Sequence, residues 1–154
     1  MDRPDQIRAA AVRDIEAILA LLAEDDPEGF LLPLDAEELA RAIGDFVVAT
    51  DGDRVVGVGR LKRFSDSLGE VRTLKVAADY RNRELGRGIV RALLRRARAD
   101  NLQHVFVLTA HTDFFERLGF VTIGKEALPL KIWTDCLICY KRDACDETAM
   151  WTTL

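Results

Sequence analysis

The stretch Val76-Ala77-Ala78-Asp79-Tyr80-Arg81-Asn82-Arg83-Glu84-Leu85-Gly86-Arg87-Gly88-Ile89-Val90 sets arginines and glycines between a β-rich run and an apolar helical stripe. The first N–H groups of a helix have no intrahelical partner and carry partial positive charge. Gly86 and Gly88 bring no Cβ to obstruct a close approach to them. The chemistry served by such a place is phosphate binding. Arg81, Arg83, Arg87, Arg91, Arg95, Arg96 and Arg98 add a locally basic face to a chain of net charge −4. A Gly-x-Gly alone is more often an ordinary helix start. Its place after a strand, before a helix and beside these arginines favours a pyrophosphate loop.

A second group of reactive side chains lies near the end. Cys136-x-x-Cys139 followed by Cys145 has the spacing of half a zinc site, with His104, His111 and Asp146 the candidates to complete it by folding back. It lacks a second Cys pair and a His at finger spacing, so free thiols and no metal are expected. An odd number of cysteines fits a reducing compartment. No export signal is read at the start, and no apolar run reaches the roughly 18 residues of a bilayer span. A cytoplasmic protein is expected.

The elements that must position these residues follow from periodicity. Ile7 to Ala10 reads as a strand, followed by a helix carrying Ile15, Ile18, Leu19 and Leu22 behind Asp14 as its cap. A shorter helix is expected from Ala36 to Ile43, with Asp35 as cap and Glu38 three residues on. Phe46–Thr50 and Arg54–Leu61 flank the hairpin signal Asp51-Gly52-Asp53, and Gly69–Val76 follows the turn Ser65-Asp66-Ser67. Three antiparallel strands are expected there. Ile89, Val90, Leu93, Leu94 and Ala97 form one stripe of a helix running to about Asp100. Val105–Leu108 reads as a strand buried on both faces, joined to the preceding strand by a parallel crossover. A short helix, Asp113 to Leu118, is closed by Gly119, and strands are expected at Phe120–Ile123 and Lys131–Tyr140.

The chain has 154 residues, 49% hydrophobic and 31% charged, which suits one folded α/β domain with residues 141–154 as a C-terminal tail. Disorder is excluded for most of the length by the apolar content. The acidic balance argues against a general nucleic-acid binder, and nothing points to a membrane partner.

The loop resembles that of the GNAT acetyltransferase superfamily, whose pattern is Arg/Gln-x-x-Gly-x-Gly/Ala. In one register Arg81 is the first residue and Gly86 the last, with Glu84 at the middle Gly; in the other, Arg83 leads and Gly86 and Gly88 complete the pattern. The first register is preferred because it also aligns Val76, Tyr80 and the helix from Ile89. Phe114-Phe115-Glu116-Arg117-Leu118-Gly119-Phe120 is similar to the family's Phe-Tyr-x-x-x-Gly-Phe segment, at the family's interval of some thirty residues. The run Leu128 to Cys139, then Cys145-Asp146-Glu147, is similar to the end of short single-domain GNAT proteins assigned as N-acetylglutamate synthases.

That resemblance implies a mixed, mostly antiparallel sheet of six or seven strands with about four helices, in a single domain without room for the amino-acid kinase domain of longer enzymes. It implies acetyl-CoA as cosubstrate, held by Leu74, Val76, Arg81, Arg83, Leu85, Gly86, Arg87, Gly88 and Phe115. Glu70 is the implied base, direct or through water, and the N–H near Val76 the implied oxyanion donor. Arg72, Lys75 and Lys131 are candidate cations for an acceptor's carboxylates. Phe115 replaces the tyrosine that protonates the thiolate in relatives, leaving His111 or unassisted departure. The implied reaction is direct acetyl transfer to the α-amine of a small acidic amino acid, glutamate first. The alternatives are another amine acceptor (polyamine, antibiotic or protein) and a catalytically weak acyl-CoA-binding module. A homodimer is compatible with the family.

Overall fold

The computed structural model describes residues 6–24, 35–81, 84–128 and 147–154. Among the described residues, seven strands form one sheet: β1 (Gln6–Ala9), β2 (Phe46–Asp51), β3 (Arg54–Arg63), β4 (Leu68–Val76), β5 (His104–Thr109), β6 (Val121–Thr122) and β7 (Thr148–Thr153). Their spatial order is β1-β2-β3-β4-β5-β7-β6. The β4–β5 pair is parallel and the other described pairs are antiparallel. Four α-helices accompany the sheet among the described residues: α1 (Ile15–Ala23), α2 (Ala36–Ala42), α3 (Leu85–Ala99) and α4 (Thr112–Glu116).

The periodicity of each element explains where it sits. Ile89, Val90, Leu93, Leu94 and Ala97 are all buried, and their stripe lays α3 across β2, β3 and β4. The helix comes close because β3 is bare beneath it. A Cβ on Gly57 would stand 2.7 Å from Ile89 Cδ1, and one on Gly59 would stand 2.6 Å from Ile89 Cγ2. Alternate residues of β5 divide between two apolar clusters, as its continuous apolar run requires. Val105 and Val107 join the main core with Ile18, Phe46, Ile89 and Met150, while Phe106 packs with Leu68, Leu128 and Ala149 on the other face.

Two local readings are corrected. Asp14 does not cap α1 with its side chain. Its buried carboxylate accepts from Ala11 N at 2.7 Å and pairs with Arg8 at 2.8 Å, closing a single 3-10 turn ahead of the helix. The expected tail from residue 141 contains β7, which inserts between β5 and β6 along Thr148–Thr153. Met150-Trp151 carries the apolar content of that strand, but the threonines and the late position disguised it. The strand expected at Lys131–Tyr140 lies outside the described residues. Asp35 does cap α2, accepting from Glu38 N at 2.8 Å, and Gly119 closes α4 at φ +93°.

Candidate active site

The site begins where two strands part. β4 and β5 pair only from Leu68 to Glu70 against His104 to Phe106. Beyond that point β5 continues to Thr109 against β7, and β4 continues to Val76 against β3. A bulge in β4 accompanies the separation. Arg60 pairs with Arg72 and Val58 with Lys75, so Thr73 and Leu74 stand opposite Gly59 alone. Thr73 takes φ +54°, an uncommon and strained conformation for a β-branched residue.

Hydrogen-bond alternation then orients the end of β4. Ala77 N donates to Val56 O at 2.8 Å, so the next residue back, Val76, turns its N–H and C=O away from β3 and toward the opening. Arg81 Nε donates to that Val76 carbonyl at 3.3 Å.

Glu70 lies at the root of the opening. Registered pairs place Lys62, Glu70, Phe106 and Trp151 side by side across β3, β4, β5 and β7. Glu70 is 4% exposed, and its Oε1 accepts from Arg72 Nε at 2.6 Å. Burial pushes the Glu70 carboxyl above its ordinary range; Arg72 and Lys62 oppose this and are outweighed. Lys62 shifts the other way: burial lowers it, helped by the charges of Arg72 and Arg60. Phe64 supports the cluster, with Lys62 Nζ 5.0 Å and the Arg72 guanidinium 5.8 Å from its ring centroid.

At the other end of β4, the chain turns through Ala78–Tyr80 and reaches Glu84, which takes φ +59° as the N-cap of α3. This is the position where the family's pattern has a glycine, and the backbone adopts a conformation glycine favours. The helical ladder starts with Gly88 N donating to Glu84 O at 3.1 Å, leaving the N–H groups of Leu85, Gly86 and Arg87 ahead of it. Arg87 Nη1 pairs with Glu84 Oε1 at 2.8 Å. The Tyr80 hydroxyl donates to Asp51, and Arg54 forks onto Asp79 at 2.8 and 3.1 Å, tying the turn to the β2–β3 hairpin.

The acetyltransferase (GNAT) domain profile matches residues 42–122. An uncharacterised N-acetyltransferase of Chlorobaculum tepidum is 37% identical over 148 residues, which cover 96% of each chain. The chain belongs to the GNAT acetyltransferase family. Its fold is also similar to that of a Mycobacterium tuberculosis protein solved in complex with CoA, at 30% identity and TM-score 0.83, covering 97% of this chain and 99% of that one. N-acetylglutamate synthase from Neisseria gonorrhoeae, complexed with coenzyme A and N-acetyl-glutamate, superposes at TM-score 0.85 and 25% identity, covering 97% of this chain and 35% of that one. An amino-acid acetyltransferase of Pectobacterium carotovorum subsp. carotovorum is 32% identical over 133 residues, 85% of this chain and 30% of that protein. The acetyltransferase thus spans about a third of these two longer relatives.

The residues expected in the acetyltransferase's site differ in where their side chains lie. Phe115 is 3% exposed in the main core, edge-on to Phe114 and Phe120. Phe114 is the ring beside the loop, its Cζ 3.4 Å from where a Gly86 Cβ would be. Gly88 faces Ile7 of β1, whose Cδ1 would lie 2.8 Å from an added Cβ, so its bareness serves packing. Leu85 is buried, and Leu74 lies 3.6 Å from the Cβ position of Gly59, on the α3 side. Lys75 pairs with Val58, beyond the bulge from Glu70. His111 is exposed at the start of α4, where its N–H donates to Thr109 Oγ1 at 2.8 Å. Of the seven arginines, Arg81 and Arg87 stand near the start of α3, Arg96 donates to Gly44 O at 2.8 Å, and Arg91, Arg95 and Arg98 line the outer side of α3. Arg83, Lys131 and the three cysteines lie outside the described residues. Lys62 was missed because only strand register reveals that it faces Glu70.

Proposed function

We propose that this GNAT acetyltransferase moves the acetyl group of acetyl-CoA to the α-amine of a small acidic amino acid, glutamate being the first choice. The observation that carries this reading is the buried Glu70–Arg72 pair, with Lys62 beside it, at the root of the β4–β5 opening. A carboxylate that takes a proton from an amine and cations that attract an acceptor's carboxylates are thereby combined in one place. The longer relatives named for amino-acid acetylation support the acceptor class.

In this mechanism the pyrophosphate of acetyl-CoA meets the N–H groups of Leu85, Gly86 and Arg87, with Arg81 and Arg87 adding charge and Phe114 flanking the loop. The pantetheine arm enters the opening between β4 and β5. The Val76 N–H, turned into that opening, donates to the thioester carbonyl and holds the oxyanion formed when the neutral amine attacks. Glu70 receives the amine's proton, directly or through water. The raised proton affinity of its buried carboxyl matches that task better than an exposed carboxylate would. The CoA thiolate departs with its own low basicity, since Phe115 has no proton to give.

Thiol release from acetyl-CoA, followed across an amine panel, tests the reading. Acceleration by glutamate and aspartate above polyamines, aminoglycosides and peptides is expected. Acceleration confined to non-acidic amines would overturn the acceptor class, and cofactor binding without turnover would favour the acyl-CoA-binding module.

A further inference from the structure

The outer side of α3 carries a feature that acetyl transfer does not use. Arg91, Arg95 and Arg98 follow one another at i, i+4 and i+7, and Arg117 at the end of α4 faces them across a cleft of about 320 Å³ floored by Leu94 and Leu118. None of the four guanidinium groups has an ion-pair or hydrogen-bond partner among the described residues. The carboxylates of Asp113 and Glu116 of α4 pair with none of these guanidiniums, and that of Asp100 is taken by Arg63 at 2.5 Å. Favourable interaction with a helix dipole accounts for one cation at each C-terminus, as for Arg98 and Arg117, but not for four around one cleft. A chain of net charge −4 thus lines one concavity with four arginines.

We propose that this cleft binds a compact polyphosphate, separately from the cofactor. Guanidinium forks match phosphate oxygens two at a time, and the four lining this cleft come from α3 and the end of α4. The volume suits a small molecule. A protein partner fits poorly: the large exposed apolar residues among those described are Val12 and Val121, neither of which lines the cleft, so a docking chain would find no apolar anchor. Arg95 and Arg98 lie about 15 to 20 Å along α3 from Leu85, at about 1.5 Å per residue, so they do not share a phosphate with the start of that helix.

The test titrates inorganic triphosphate into the whole chain by calorimetry, with and without saturating CoA. Binding that persists with CoA present is expected. An Arg95→Ala/Arg98→Ala variant should bind triphosphate about ten-fold more weakly, with its acetyl-CoA KM and basal thiol release unchanged. Raised salt should weaken the binding. Displacement of triphosphate by CoA, or undiminished binding to the double variant, would assign the anion to the cofactor loop and overturn the proposal. An acetyl-CoA KM that rises in the double variant while that for acetyl-dephospho-CoA stays constant would make the cleft a seat for the cofactor's own 3′-phosphate, which also overturns a separate site. Equal binding of oligoglutamate would overturn the phosphate class. If CoA itself failed to bind, the acetyltransferase reading would fall while triphosphate binding stayed measurable.

Discussion

Glu70 is a carboxylate held where water hardly reaches it, and two opposing influences set its protonation. Arg72 at 2.6 Å favours the charged form, while burial favours the neutral one and prevails. The folded protein therefore holds this proton more tightly than the unfolded chain does. That difference favours the fold fully below the ordinary value of 4.5, and the benefit is lost as pH rises through the raised folded value. Denaturant titrations should show wild-type stability falling, relative to Glu70→Gln, over a window beginning near pH 4.5 and extending upward. The same variant should lose about 10² to 10⁴ in kcat with little change in acetyl-CoA KM, and the acid limb of the kcat profile should vanish with it. Glu84 is the opposite case, an exposed anion in a left-handed conformation at the start of α3. Glu84→Gly removes both the strain and the charge at the proposed pyrophosphate site. At a separation of about 5 Å in water the charge costs about 1 kcal/mol, so acetyl-CoA KM should fall roughly five-fold at constant kcat. An unchanged or higher KM would show that Glu84 acts mainly by orienting Arg87.

At the scale of elements, the site depends on how closely α3 approaches β3 and on the bulge that bends β4 away from β5. Ile89 lies over both Gly57 and Gly59, and Leu93 Cδ1 would be 3.2 Å from a Gly59 Cβ. Gly59→Ala forces both side chains outward from a packed core. It should cost about 1 to 3 kcal/mol in chemical denaturation, and it should weaken acetyl-CoA binding because the displaced helix carries the loop N–H groups. Stability lost without any change in cofactor affinity would mean that α3 tilts about its own start. The apolar stripe of α3 was legible from spacing alone, as were the β2–β3 hairpin and the parallel β4–β5 pairing. The bulge was not: Arg72-Thr73-Leu74-Lys75 reads as an unbroken strand, and the extra residue becomes visible only when Gly59 is left opposite two partners. Two positions are not settled by residue type without three-dimensional context. Either Phe114 or Phe115 satisfies a pattern asking for an aromatic ring, and a glycine without a Cβ looks alike whether it faces a phosphate or, like Gly88, a neighbouring strand.

For the whole molecule, the largest revision concerns the C-terminal end. Residues 141–154 read as a C-terminal tail, yet β7 pairs with β5 at six positions from His104–Thr153 to Thr109–Thr148 and carries β6 on its other side. Local sequence does not encode insertion of a late strand between two earlier ones, because the pairing is decided by partners some forty residues away. Met150 is fully buried and Ala149 is 1% exposed, in two different apolar clusters, so β7 ties together the cores on both faces of the sheet. Removing it uncovers Phe106 and Val107 and strips β5 of one of its two neighbours. Burying one large apolar side chain is worth about 1.5 to 3 kcal/mol, and several are lost at once from a domain whose total stability is on the order of 5 to 15 kcal/mol. A chain ending at Glu147 should therefore accumulate as insoluble protein or show no cooperative unfolding transition, and it should release no thiol from acetyl-CoA. A soluble truncation with a sharp transition and preserved turnover would show that β4 and β5 hold the site without β7. Substituting Met150→Ala in the full chain separates packing from pairing: the strand remains, and a loss of about 2 to 5 kcal/mol with turnover retained below the new midpoint is the expected outcome.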